Sequence, residues 1–100
     1  MAVGVMMQFS SGSNEAYDRL LDQLGLAGGS APDGVICHMA GETSDGFRVV
    51  EAWESAEAFG RFVARRLAAG SSLEGFPPPR VTIWDLHHVI VPGPAGAVSM

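Results

Sequence analysis

The stretch GFRVVEAWESAEAFGRF, Gly46 to Phe62, decides the fold, because one side-chain period gives way to another inside it. From Phe47 to Trp53 the chain alternates, with Phe47, Val49, Glu51 and Trp53 on one side and Arg48, Val50 and Ala52 on the other, the pattern of a strand. After Glu54 the spacing becomes helical. Ser55 can cap the helix, whose apolar stripe is Phe59, Phe62, Val63 and Leu67, with Arg61, Arg65 and Arg66 around the solvated side. Glu54 and Glu57 lie at the positive end of the helix dipole and the arginines toward its negative end, and Gly70 is expected to close the helix.

Working outward, VICHMA (Val35 to Ala40) reads as the strand before this one, and GETSDG (Gly41 to Gly46) as the turn of an antiparallel hairpin. VGVMMQF (Val3 to Phe9) is an earlier strand, apolar enough on both faces to need cover on both. A helix follows it, capped by Ser13 or Asn14, with Tyr17, Leu20, Leu21 and Leu24 as its stripe and a stop near Gly25. The segment from Gly25 to Gly34 holds too many glycines, and Pro32, to be anything but a loop. Beyond the second helix, FPPP (Phe76 to Pro79) is a stiff connector, and VTIWDLHHVI (Val81 to Ile90) is a last strand before a tail rich in proline and glycine. The order strand, helix, strand, strand, helix, strand predicts an α+β ferredoxin-like βαββαβ domain over residues 1–100. Two helices cover one face of a four-stranded antiparallel sheet and leave the other bare.

Composition narrows the function. The chain has 100 residues, 47% of them hydrophobic, and so small a domain buries only about 60 to 65% of its unfolded surface. Apolar side chains on both faces of the strands therefore predict a homodimer, with an interface of about 1,600 Å² or more. Eleven acids against six arginines and no lysine, for a formal charge of -5, argue against nucleic acid as a partner. No apolar run is long enough for a membrane helix and the N-terminus lacks a secretory leader, so a cytoplasmic location is expected. Cys37 is the lone cysteine, and with three histidines it makes no zinc spacing. Dinucleotide, Walker and serine-elbow patterns are absent, and no cofactor or metal is expected.

The whole chain, and most characteristically Gly46 to Phe62 with its strand ending at Trp53 and its Glu54-Ser55 junction, resembles the dimeric α+β barrel superfamily, which includes antibiotic-biosynthesis-type monooxygenases and many small bacterial proteins. That resemblance implies a barrel built by a homodimer and a pocket in each subunit, between sheet and helices, for a small hydrophobic molecule of aromatic or polyketide-like character. It implies an activity among cofactor-independent oxygenation, isomerisation and cyclisation, with haem breakdown also known in the group. A noncatalytic ligand-binding or interaction protein is the alternative. Fold alone does not choose among these.

Five residues are candidates for the site. His38 lies inside the second strand, either as a buried neutral imidazole or as an acid/base group in the pocket. His87 and His88 are consecutive on the strand, so they point to opposite faces; Asp85, on the same face as His87, could orient its imidazole, the alternative being a strand-end histidine in a solvated or interface network. Glu51 shares a face with Val49 and Trp53, where a buried carboxylate needs a partner; it is a candidate acid/base group or half of a salt bridge. Trp53 and Trp84 are flat surfaces that either fill the core or line the pocket. Asn14 reads as a helix cap.

Overall fold

A computed structural model describes residues 1–26, 28, 31–68 and 75–91, with backbone alone at 67 and 68. Its elements are β1 (Val3–Phe9), α1 (Asn14–Leu24), β2 (Val35–Thr43), β3 (Gly46–Trp53), α2 (Ala56–Ala68) and β4 (Arg80–Asp85). The expected stop at Gly70 and the Pro/Gly-rich tail from residue 92 lie outside the described residues, as does the side chain of Leu67.

The strands form one antiparallel sheet in the order β2-β3-β1-β4. This is the ferredoxin-like arrangement, but the sheet does not close into a barrel, which corrects the fold expected from the resemblance. Among the described residues β2 pairs only with β3 and β4 only with β1, so the sheet has two outer edges. Geometry accounts for the opening. Neighbouring strands rotate by only about 20–25°, and a barrel whose interior side chains can fill needs about eight strands.

Two strands end elsewhere than expected. β4 stops at Asp85 rather than Ile90, because Asp85 lies opposite Val3, the first residue of β1. Past it, among the described residues, only the Leu86 amide finds a backbone partner, the Ala2 carbonyl at 2.9 Å, and no further strand pairs with the chain. β2 is longer than expected, since its ladder with β3 continues to Thr43 opposite Gly46 and leaves only Ser44 and Asp45 as the turn. Gly46 is required there: a Cβ would lie 2.0 Å from the Phe9 carbonyl oxygen.

Register explains the core. Val5 sits between Glu51 on β3 and Ile83 on β4, and Met7 between Val49 and Val81, so alternate residues of three strands share the helix side. There Phe9, Ala16, Phe47, Val49 and Phe76 form one cluster, and Val3, Val5, Trp53 and Ala58 a second. Phe76, from the segment read as a connector, stands edge-on to Phe9 and Phe47 at 5.1 Å from each. Both helices start on serine caps, with Ser13 Oγ accepting from the Ala16 amide at 3.0 Å and Ser55 Oγ from the Ala58 amide at 3.1 Å. Gly25 ends α1 in the left-handed region, φ 73°.

On the opposite face Trp84 lies over Gly4, so closely that a Cβ on Gly4 would be 2.5 Å from the indole. Met39 and Trp84 remain 61% and 42% exposed. Among the described residues no helix is long and apolar enough to cross a membrane.

Candidate functional site

The site begins with an irregularity in β2. Val35 pairs with Trp53 but Cys37 pairs with Ala52, so Ile36 is an extra residue in the ladder. Strict alternation puts Ile36, His38 and Ala40 on one side. With Ile36 bulged, Val35 joins His38 and Ala40 on the helix side, and Cys37 and Met39 turn to the bare face. His38 then lies directly opposite Glu51, where facing side chains of an antiparallel pair meet.

Glu51 is 7% exposed, in a cluster otherwise made of apolar side chains, and both its oxygens are occupied. His38 Nδ1 is 2.6 Å from Oε2, and Trp53 Nε1 donates to Oε1 at 3.1 Å. A carboxylate accepts only, so Nδ1 carries a proton, and in the neutral imidazole Nε2 is left as an acceptor. Tyr17, on α1, hydrogen-bonds that Nε2 through its hydroxyl, and the two ring planes are within 15° of parallel. The donor direction therefore runs from Tyr17 to His38 to Glu51, with Trp53 as a second donor at the buried end. The buried carboxylate is paired rather than orphaned, as its burial requires.

Tyr17 was legible only as part of the α1 stripe. Its hydroxyl reaches His38 because α1 is held at both levels: Tyr17 packs on Phe47 at 5.4 Å between ring centres, and Asn14 is clasped to Glu42 of β2. The Asn14 amide donates to Glu42 Oε1 and the Glu42 amide donates to Asn14 Oδ1, each at 3.2 Å. Asn14 is thus not the cap, which is Ser13, but a tie between helix and strand. Burial, then the negative charges of Glu51 and Asp18, hold the Tyr17 phenol above its ordinary pKa of 10.0. It keeps its proton at neutral pH and is a donor.

The hydrogen-bonded chain opens on a cavity of about 370 Å³ between the helices and the sheet. Leu20, Leu21 and Leu24 of α1, Phe62 of α2, and Met7, Phe9 and Val49 of the sheet make its walls apolar. Tyr17, His38, Glu51 and Arg66 are the polar groups among its lining. An apolar cavity with a few convergent polar groups is the usual form of a small-molecule site. Arg66 was expected on the solvated side of α2 but is partly buried, its guanidinium 6.0 Å from the Phe62 ring centre. Burial holds its pKa below the usual guanidinium range, and the charge of Glu51 opposes the effect.

The other expected residues are scattered. Trp53 is fully buried behind Glu51 between Phe59 and Phe62, supporting the site without lining it. Trp84 is on the far face of the sheet. His87 and His88 lie past the end of β4 and are exposed, so the expected alternation with Asp85 does not reach them. Cys37 is exposed on the bare face. Among the described residues no three His, Cys, Asp or Glu side chains cluster as a metal site.

No family model matches the chain, and no curated protein matches it significantly. Solved structures match in fold. Rv0793 from Mycobacterium tuberculosis superposes with a TM-score of 0.64 at 22% identity, over 91% of this chain and 100% of that one. SnoaB, a cofactor-independent oxygenase from Streptomyces nogalater, gives 0.58 at 13% identity over 89% and 95%. NE2512, a protein of unknown function from Nitrosomonas europaea, gives 0.56 at 20% over 92% and 93%. The chain therefore shares the fold found in cofactor-independent oxygenases and in small bacterial proteins without assigned chemistry. At these identities the likeness concerns the fold.

Proposed function

We propose that the cavity binds a small planar hydrophobic molecule, aromatic or polyketide-like, and that His38 moves a proton on it without a cofactor. The observation that carries this reading is the hydrogen-bonded chain Glu51, His38, Tyr17, which runs from the core to the wall of an apolar cavity. Glu51 holds the imidazole in the tautomer whose Nε2 can accept, and it stabilises the imidazolium that forms when Nε2 takes a proton. A proton from a carbon next to a ligand carbonyl passes to Nε2 as Tyr17 swings aside. The C–H electron pair becomes the enolate, and the Tyr17 hydroxyl, still protonated, donates to the new oxyanion. Return of the proton to a different carbon completes an isomerisation, and SnoaB, a cofactor-independent oxygenase, shares the fold.

The test uses a phenolic anthrone, a planar ketone with an acidic methylene, in heavy water with exchange followed by NMR. The protein should accelerate methylene exchange, and His38→Gln should abolish that acceleration while the variant remains folded by circular dichroism. Binding of the anthrone with no acceleration by the parent protein would leave a noncatalytic binding protein and end the enzymatic reading.

We also propose that the molecule is a single-domain cytoplasmic homodimer, a second copy covering the sheet face that bears Met39, Val50 and Trp84. The support is the exposure of Met39 and Trp84 on a face whose neighbouring positions include Met6 and Ala52. Light scattering at micromolar concentration should give twice the mass of 10.5 kDa, and a single-chain mass would refute the pairing.

A further inference from the structure

The proton chain does not account for Arg66. Its side chain lines the cavity, yet the one carboxylate there has both oxygens engaged, Oε2 by His38 and Oε1 by Trp53. Among the described residues no carboxylate is within ion-pair distance of the guanidinium, which lies over the face of Phe62. Leucine, phenylalanine and valine side chains make up most of the surrounding wall. A guanidinium is planar, permanently charged and shaped to bind a carboxylate through two parallel N–H donors. A neutral ligand filling the cavity would strip water from this cation and return nothing to it, whereas an anionic one would pair with it in a low-dielectric setting where the attraction is strong.

We infer that the ligand is a hydrophobic carboxylic acid, its ring system against the leucines of α1 and Phe62 and its carboxylate on Arg66. The inference rests on the reading of this cavity as the ligand site. It adds to that reading the ionic class of the ligand and a binding residue from α2. His38 and Tyr17, on β2 and α1, face a separate part of the ligand, so the acid group anchors and the proton chain acts. At about 370 Å³ the cavity lies at the small end of ligand pockets, about 300–1,000 Å³, which suits a compact ligand of a few fused rings.

The experiment compares 2-naphthoate with its neutral amide, 2-naphthamide, by titration calorimetry on the intact protein. The naphthoate should bind at least about tenfold tighter, the worth of a charge-assisted hydrogen bond. Arg66→Gln should erase that preference while leaving naphthamide affinity within about twofold, which also shows that the variant is folded. Arg66→Lys should recover part of the preference, the charge being kept and the fork lost. Equal binding of the two probes by the parent protein, or an equal loss of both in Arg66→Gln, overturns the acid class and leaves the cavity a site for neutral ligands. Failure of both probes to bind instead overturns the cavity as a site for such molecules, and the inference falls with it.

Discussion

β3 and β4 flank the same strand, and both carry alternating apolar residues and a tryptophan, yet their fates differ. Val49 and Val81 lie on either side of Met7 and on the same face of the sheet, but Val49 is 5% exposed and Val81 47%. Trp53, on the helix side, is fully buried while Trp84, on the bare face, is 42% exposed. Position under the helices makes the difference. α2 sets Phe59 and Phe62 against Trp53, and α1 sets Tyr17 against Phe47, so β3 is roofed along its length. β4 is the outer strand beyond that roof, and every one of its residues is exposed. A half-apolar strand pattern states that a strand can be buried, not that it is.

Truncating the two tryptophans separates β3 from β4 most strongly. Trp53→Ala should cost about 3–5 kcal/mol by urea unfolding, the usual range for emptying a packed aromatic site, because Phe59, Phe62 and the Glu51 carboxylate all lose a neighbour. Trp84→Ala should cost less than about 1 kcal/mol at the single-chain level, since it uncovers only Gly4 and its surroundings. Equal losses would mean that β4 is as structural as β3.

The same contrast extends to the acids. Glu51→Gln keeps the shape of the side chain but cannot accept from both His38 and Trp53 as a charge does, and should cost about 1.5–3 kcal/mol together with the proton-transfer activity. Asp85→Asn, on exposed β4, should stay within about 0.5 kcal/mol by the same unfolding measurement. If the two substitutions behaved alike, the polar chain at the cavity would not be a structural unit.

On the bare face, Met39→Asp should weaken self-association at least about tenfold, a change of about 1.4 kcal/mol, read as a fall in mass by light scattering at graded dilution. Ile83→Asp, on the helix side of β4 and already 49% exposed, should leave the mass unchanged. Reversal of those two results would put the contact surface at the β4 edge.

The smallest expected effect is alkaline. The Tyr17 phenol is held above 10.0 in the folded chain, so folding favours its protonated form. That contribution is present below about pH 10 and is lost as pH rises through the higher folded value. Between about pH 8 and about pH 11 the parent should lose more stability than Tyr17→Phe, by less than about 1 kcal/mol because the side chain is only partly buried. An identical alkaline loss in both proteins would remove Tyr17 from the account.

Local patterns carried much of this. The switch of period between Trp53 and Ser55 specifies a strand and then a helix, because alternation and helical spacing are properties of neighbouring residues. The two serine caps, the glycine at the end of α1 and the hairpin before β3 follow from the same short-range chemistry. His38 and Glu51 could be singled out as a histidine and a carboxylate placed inside strands, where each needs a reason to be.

Neighbouring residues thus specify the order of the elements, their periods and the two polar residues that interrupt them. The tertiary structure alone decided which elements meet. Tyr17 and His38 are 21 residues apart and His38 and Glu51 13 apart, so no local spacing joins them. Arg66 of α2 lines the cavity, and Phe76, in the residues leading into β4, enters the core against Phe9 and Phe47. The bulge at Ile36 depends on how β2 pairs with its neighbour, and the end of β4 on where β1 begins. A strand needs a partner, a buried carboxylate needs donors and a helix face needs something beneath it; each is a relation between distant segments, settled only when the chain has folded.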